Sequence, residues 1–492
     1  MTVTPRAQRA IIAAYFALLA VIYVLAWWQP AIGITQEGAT HLVTAKALAA
    51  GHGYVLDSAP QSPPETKYPP LFPALLSLLA LISSNPLWLK LLPLACSIAW
   101  LWLTRRLLLK MGSSWHSSFM LVGLTAAAPG VVFLSTNLLP ETLFGLLATA
   151  ALLTMLEERA LLAGILAGLA TLTENAGVAL IAACIVTLVA RRRFRGAALF
   201  AAAAMILAAP WFGWSVAHTT HAARIGNTIH DPLTIFTGLA ANEKFAVVAA
   251  NAFSLFAAPA VLLSGFTNTF SISVTVLLLL WCVIARRQMV PDLFVLFYGL
   301  TLLVFTNPPD RYCAPVLPLI LWIVWRVLRR MEPREALAAV VFIVVFFPVG
   351  MDVKFLVRAR GSGSFHGTAP VANRWPELDK VFTWVRTETP ADAIVLSNMD
   401  ALTWLQSGRK SIRGFAATGY ELYYSPRHSP ASPDQLSRVI IDDQVRYVIV
   451  TPDAGLPESD SFHRSVEALE RGGVIVPVAS PAQGYSIFRV AR

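Results

Sequence analysis

Charged side chains are scarce in this chain: 13% of its 492 residues, against 56% that are hydrophobic. A soluble domain carries ~25% charged residues, so the shortage excludes an ordinary soluble enzyme. Apolar runs of about 18 residues or more recur along the chain and mark a polytopic membrane protein. Cysteine is also sparse. Cys96, Cys184, Cys282 and Cys313 lie in or beside apolar runs with no metal-site spacing; they read as small membrane-core residues, and no metal is expected. A Gly-rich phosphate loop and internal repeats are both missing. So is a small-residue cleavage site after the first apolar run, Ala10–Trp28, which reads as a retained span with Trp27 and Trp28 at the interface. The formal charge of +10 does not point to nucleic acid. Its basic residues flank apolar runs, as the positive-inside rule requires.

Arg6 and Arg9 keep the N-terminus cytoplasmic, and residues 29–69 then form a first outer loop. Within it, Ala39–Ala50 has helical apolar spacing and reads as a helix lying on the membrane surface. Pro70–Ser83 is about 21 Å long as a helix and reads as half-embedded. Spans follow at Pro86–Leu103, Ser117–Ser135, from Glu141 to near Glu157, Leu161–Thr173, Gly177–Ala190 and Gly196–Val216. The run Arg191-Arg192-Arg193-Phe194-Arg195 is the strongest inside marker. Residues 217–268 read as a second outer loop, with Phe245–Ser264 re-entrant or interfacial. Spans at Phe270–Ala285, Val290–Phe305, Ala314–Val327 and Leu337–Val349 complete a count of about eleven, with about thirteen as the alternative. Residues 1–350 thus form the membrane module. Residues 351–492 read as a small extracytoplasmic α/β domain behind a Gly361-Ser362-Gly363-Ser364 linker, with strands at Ala393–Ser397, Val445–Val450, Gly473–Val478 and Tyr485–Val490 and helices at Trp375–Thr387 and Ser461–Arg471.

The unusual polar residues fall on one side of this topology. Glu37, Asp57, Lys67, Glu141, Glu174, Asp310 and Arg311 all lie in outer loops or at outer ends of spans, and ionisable groups at the edge of a membrane bundle are costly. A carboxylate base and two cations are what sugar transfer from a lipid phosphate would require. The bland readings stand beside this one. Glu37 is equally an interfacial carboxylate, Lys67 a snorkelling lysine, Glu141 a helix-dipole partner, and Asp310 and Arg311 a pair with each other. Asp57 is a substitute base or a turn residue. His218 and His221 make an incomplete metal site.

The segment Glu37-Gly38…Gly51-His52-Gly53-Tyr54…Lys67-Tyr68-Pro69-Pro70-Leu71-Phe72-Pro73 resembles the first outer loop of polyprenyl-phosphate-sugar-dependent transferases with the GT-C fold, which include protein O-mannosyltransferases, lipid A aminoarabinose transferases and RgtA/B/C/D-like proteins. Further matches are Pro140-Glu141-Thr142-Leu143-Phe144, Ala163-Gly164-x-x-Ala167-Gly168-Leu169-Ala170, and Arg311-Tyr312 with Pro315 and Pro318. The resemblance implies a GT-C-like, α-helical membrane glycosyltransferase moving a sugar from a polyprenyl phosphate to a hydroxyl of a lipid, glycan or protein. Inversion at the sugar carbon and no cofactor are implied with it. Glu37 would be catalytic, and Lys67, Tyr68, Glu141, Arg311 and Tyr312 would bind substrate. Two departures stand out: Gln36 replaces the first acid of an acidic pair, and Glu174 follows Thr173 where similar proteins often carry Arg. The rival readings are a non-catalytic relative that binds the lipid-linked sugar, and a transporter or flippase.

Overall fold

The computed structural model describes residues 5–32, 35–222, 232–264, 289–328, 334–365, 374–414, 419–425, 431–452 and 457–491. The expectations for Cys282 and Phe270–Ala285 fall outside those residues, as do Arg224, His230 and Asp231 of the second outer loop, the basic pairs Arg286-Arg287 and Arg329-Arg330 that count as inside markers, and the side chain of His221.

The helical module begins with α1 (Pro5–Trp27), α2 (Gln36–Ala49), α3 (Leu71–Ile82), α4 (Pro86–Leu89), α5 (Leu91–Lys110), α6 (Trp115–Ala126), α7 (Pro129–Thr136), α8 (Glu141–Leu156), α9 (Ala160–Thr171), α10 (Val178–Ala190) and α11 (Phe194–Ala222). It continues with α12 (Pro232–Gly238), α13 (Ala241–Ser264), α14 (Met289–Leu303), α15 (Leu317–Leu328) and α16 (Arg334–Ser362). Among the described residues, Arg6–Trp27, Pro86–Lys110, Phe194–His218 and Ala241–Ser264 are long and apolar enough to cross a membrane. The protein is therefore a multi-pass membrane protein. Helices α8, α9 and α10 are apolar but shorter, and they pack with α5 and α11 into the main core.

Four local expectations are corrected. The run Phe245–Ser264 is not a re-entrant piece but most of α13, a 24-residue helix with the length of a full crossing. The stretch Ser117–Ser135 is not one straight span: it bends by 66° between α6 and α7, where Pro129 can only start a new helix. Helix α2 does not lie open on a surface, since Glu37 through Ala45 are all buried. Finally, Gly361–Ser364 is no loose linker. Helix α16 runs through position 350 to Ser362, and the Gly363 carbonyl accepts a hydrogen bond from the Ala31 amide at 3.0 Å, with Ser364 and Phe365 buried.

The tail forms a five-stranded sheet, β1 (Ile394–Ser397), β2 (Ser411–Ile412), β3 (Val445–Val450), β4 (Ile475–Ala479) and β5 (Ser486–Val490), in the order β2-β1-β3-β5-β4. The β1 pairings are parallel and the β5 pairings antiparallel. Helices α17 (Trp375–Glu388), α18 (Asp400–Ser407), α19 (Gly419–Tyr423), α20 (Pro433–Asp442) and α21 (Pro457–Arg471) surround it. One face is covered by Leu436, Ile440, Phe462 and Val466. The other joins Leu378, Phe382 and Leu402 to Ala39 and Val43 of α2 and to Leu56 and Ala59 of the following loop. The loop thus completes the sheet domain's second apolar layer. Its backbone also guards the β2 edge: the Ser58 carbonyl accepts from the Ser411 amide at 2.8 Å, and the Asp57 carbonyl accepts from Lys410.

Candidate active site

The candidate groups collect at the end of the helical module that carries the sheet domain. Glu37 stands in the first turn of α2, whose start is capped by Thr35 accepting from the Gly38 amide at 3.0 Å. Glu141 is the first residue of α8. Both carboxylates therefore sit against positive helix ends. Arg311 opens the short 3-10 turn Arg311–Val316, which Tyr298 fixes by donating its hydroxyl to the Tyr312 carbonyl at 2.8 Å.

Arg311 joins these elements. Its Nη2 pairs with Glu37 Oε2, its Nε lies 3.4 Å from Glu141 Oε1, and Nη2 donates to the Tyr312 hydroxyl at 3.0 Å. Asp310 does not pair with Arg311; burial raises its pKa, and its carboxylate interacts with Ser254. The Glu37 and Glu141 side chains are 8% and 1% exposed, against 31% for Arg311. One partly exposed fork thus bridges two buried acids, the geometry for which Arg is better suited than Lys. The pairing is incomplete: neither Glu141 oxygen has a hydrogen-bond partner, and the buried Glu174 nearby leaves its Oε1 unpaired.

Lys67 and Tyr68 arrive on a tightly held turn. Glu65, fully buried, accepts from the Lys67 amide at 2.6 Å and the Tyr68 amide at 3.2 Å through one oxygen. Tyr54 donates its hydroxyl to the Tyr68 carbonyl at 2.7 Å. Helix α11 clamps the same turn through Trp214 Nε1 on the Glu65 carbonyl at 3.0 Å and Ser215 Oγ on the Thr66 carbonyl at 2.7 Å. The Leu71 amide then bonds the Leu172 carbonyl at 2.9 Å. The Lys67 ammonium lies 4.8 Å from the Tyr68 ring. Burial lowers its pKa to about 8, Glu65 and Asp400 opposing the fall and Arg413 adding to it.

His41 connects the two halves. Its ring lies 4.9 Å from that of Tyr68, and its Nε2 is 3.5 Å from Glu37 Oε1. Burial lowers its pKa to about 3, so it is neutral at physiological pH. A continuous run of contacts thus leads from Lys67 through Tyr68, His41 and Glu37 to Arg311, Glu141 and Tyr312.

Asp57 stands apart from that run. Its carboxylate meets His52 Nδ1 at 2.6 Å, and its carbonyl faces Lys410 of the sheet domain. His218 Nδ1 is engaged by the Trp214 carbonyl at 2.9 Å. Among the described residues, no group of three or more His, Cys, Asp or Glu side chains is arranged to hold a metal. Sequence reasoning missed His41, Glu65, Asp400 and Arg413. Gln36 Nε2 donates to Asp400 Oδ1 at 2.7 Å, and Arg413 Nη2 lies 3.5 Å from the same oxygen.

No protein-family model and no curated protein matches the chain. Solved structures do. ArnT from Cupriavidus metallidurans in the apo state superposes with a TM-score of 0.62 at 12% identity, covering 98% of each chain. ArnT from the same organism bound to undecaprenyl phosphate gives 0.60 at 13% identity, covering 97% of this chain and 98% of that one. Arabinofuranosyltransferase AftD from Mycobacteria is matched over 40% of its own length, with a TM-score of 0.48. At such identities the agreement concerns architecture alone. Helical module and sheet domain together give this chain, from end to end, the ArnT-like GT-C fold of a polytopic membrane protein.

Proposed function

We propose that the protein is a membrane glycosyltransferase that moves a sugar from a polyprenyl phosphate to an acceptor hydroxyl on the extracytoplasmic side. The observation that carries the reading is the Arg311 fork, half-exposed between the buried Glu37 and Glu141 and linked by contact to Lys67. A phosphate arriving at Arg311 competes with the carboxylates it holds. Its capture releases Glu37, which is then unpaired and basic. Glu37 takes the proton of the acceptor hydroxyl as that oxygen bonds to the anomeric carbon. The bond from that carbon to the phosphate oxygen breaks, and the electron pair leaves with the phosphate, which Arg311 and Lys67 stabilise. Attack opposite the leaving group inverts the anomeric carbon. Tyr68 and Tyr312 line the cations' flanks, and membrane lipid or an apolar cleft takes the polyprenyl tail. The full-length architecture shared with ArnT, which has been captured with undecaprenyl phosphate, supports a polyprenyl-phosphate substrate. With the N-terminus cytoplasmic, the single crossing by α1 puts loop 29–69, and with it the cluster and the sheet domain docked on that loop, on the opposite side.

One observation favours a second reading, a non-catalytic protein that binds the lipid-linked sugar: Gln36 is an amide, and Glu37, the acid beside it, is neutralised by Arg311. The deciding experiment is incubation of purified protein with an undecaprenyl-phosphate-linked sugar and a membrane acceptor fraction. The transferase reading expects release of undecaprenyl phosphate and a product of inverted anomeric configuration, both lost in Lys67→Ala. Donor that is bound but recovered intact overturns it in favour of the binding protein.

A further inference from the structure

Glu37 presents its two oxygens to different neighbours. Oε2 pairs with Arg311 Nη2, while Oε1 faces His41 Nε2 at 3.5 Å, one helical turn further along α2. The His41 side chain is 1% exposed, and among the described residues neither of its ring nitrogens has a hydrogen-bond partner. A buried polar group without a partner is destabilising. Packing alone accounts for the ring but not for the nitrogens. Tyr68 and Phe72 meet the imidazole at 4.9 and 5.2 Å between ring centroids, and a phenyl ring would serve them equally. The hydroxyls beside it on α2 donate elsewhere: Thr40 to the Gln36 carbonyl at 2.9 Å, Thr44 to the Thr40 and His41 carbonyls at 3.0 and 3.1 Å. Burial keeps the imidazole neutral, so it carries a single N–H. Placed on Nε2, that N–H points to Glu37.

We propose that His41 is the positioning residue of the base: its Nε2–H holds Glu37 Oε1 once phosphate has drawn Arg311 away from Oε2. The assignment rests on the transferase reading above and gives the two oxygens separate tasks. Oε1 accepts from His41, which fixes the carboxylate. Oε2, freed from Arg311, takes the proton of the acceptor hydroxyl. His41 neither gains nor loses a proton in the step. The gap still to be closed for a hydrogen bond is ~0.5 Å, a small side-chain rotation once Arg311 lets go. A base released without such support would lose the orientation that proton transfer needs. Tyr68 and Phe72, packed on the ring, keep the donor itself in place.

The test compares full-length His41→Phe and His41→Gln with wild type, using an undecaprenyl-phosphate-linked sugar as donor. His41→Phe keeps the ring packing and loses the N–H. It lowers kcat about 10²-fold, with Kd for donor within a few fold of wild type. His41→Gln carries an amide N–H on a side chain of similar reach and recovers most of kcat. A residue that only fills space gives the opposite order, His41→Phe close to wild type and His41→Gln impaired, and that result overturns the inference. Nitrogen-15 spectra of the histidine rings add a readout in the wild-type protein itself. His41 is expected as the neutral Nε2–H tautomer with donor bound; an Nδ1–H tautomer or a charged ring overturns the inference. Turnover lost in Lys67→Ala but unchanged in His41→Phe overturns it too, and leaves the transferase reading standing. A wild-type protein that turns over no donor overturns both.

Discussion

At the scale of single residues, function reduces to which charges are committed and which are available. Arg311 is committed to two carboxylates at once. Lysine keeps the charge but not the fork, so Arg311→Lys leaves Glu37 or Glu141 unpaired. Breaking one arm of a buried pair costs ~3–5 kcal/mol at full burial; with Arg311 half-exposed we expect a smaller destabilisation, read as a lowered Tm, and a donor KM raised at least tenfold. Lys67 titrates within reach of experiment. Its pKa of about 8 means it is cationic below that pH and neutral above. Phosphate binding favours the cation, so kcat/KM for donor should fall as pH rises through about 8. Lys67→Arg should remove that limb, since guanidinium keeps its proton throughout. A profile flat to pH 10 in wild type would contradict the assignment. Four charged members of the candidate site, Glu37, Lys67, Glu141 and Arg311, stand out in the sequence because they lie in outer loops or at outer ends of apolar runs and on the motifs that carry the resemblance. Glu65, Asp400 and Arg413 were not legible: each sits in polar surroundings, and only the folded backbone brings it to the others.

At the scale of elements, small residues set the distances on which the site depends. A Cβ on Gly164 would meet the Phe200 carbonyl at 2.4 Å, and one on Gly168 the Ala204 carbonyl at 3.0 Å. Helices α9 and α11 therefore lie backbone to backbone, as small residues allow in membrane bundles. The same two helices hold the Lys67 turn, through Leu172 just beyond α9 and Trp214 and Ser215 on α11. Gly164→Leu must push them apart, at a cost of about 1–3 kcal/mol by overpacking, and should lower Tm and donor affinity together. Gly213→Ala, with open space around its Cβ, should leave both unchanged or slightly raise Tm. Hydrophobic periodicity located α1, α5, α8 and α11 and the strand Val445–Val450, because each is punctuated by Arg, Pro or Gly. It misread α2 and α13. The apolar spacing of α2 fits a surface-lying helix as well as a buried one, and the count of inside and outside charges leaves Phe245–Ser264 out of the crossings. Burial of Glu37 through Ala45 decides α2, and the 24-residue length of the helix decides α13.

At the scale of the whole molecule, two modules share one core. Loop 29–69 leaves the helical module, supplies Ala39, Val43, Leu56 and Ala59 to the sheet domain, and returns with Lys67. The composition change near Met351 falls inside α16, ahead of the sheet domain that starts with α17, and it hid this docking, since the contact area is apolar on both sides and neither half signals it alone. Replacing Leu402 with Asp should loosen the sheet domain, measured as faster proteolysis at residues 51–65, and reduce donor affinity while the helical module stays folded. The central claim concerns Glu37: that it is the base released when phosphate captures Arg311. Turnover of an undecaprenyl-phosphate-linked sugar by Glu37→Gln, measured beside donor binding, tests it most directly. General-base loss predicts a kcat reduced ~10²–10⁴-fold with Kd for donor held within a few fold of wild type; turnover equal to wild type at saturating donor would contradict the account.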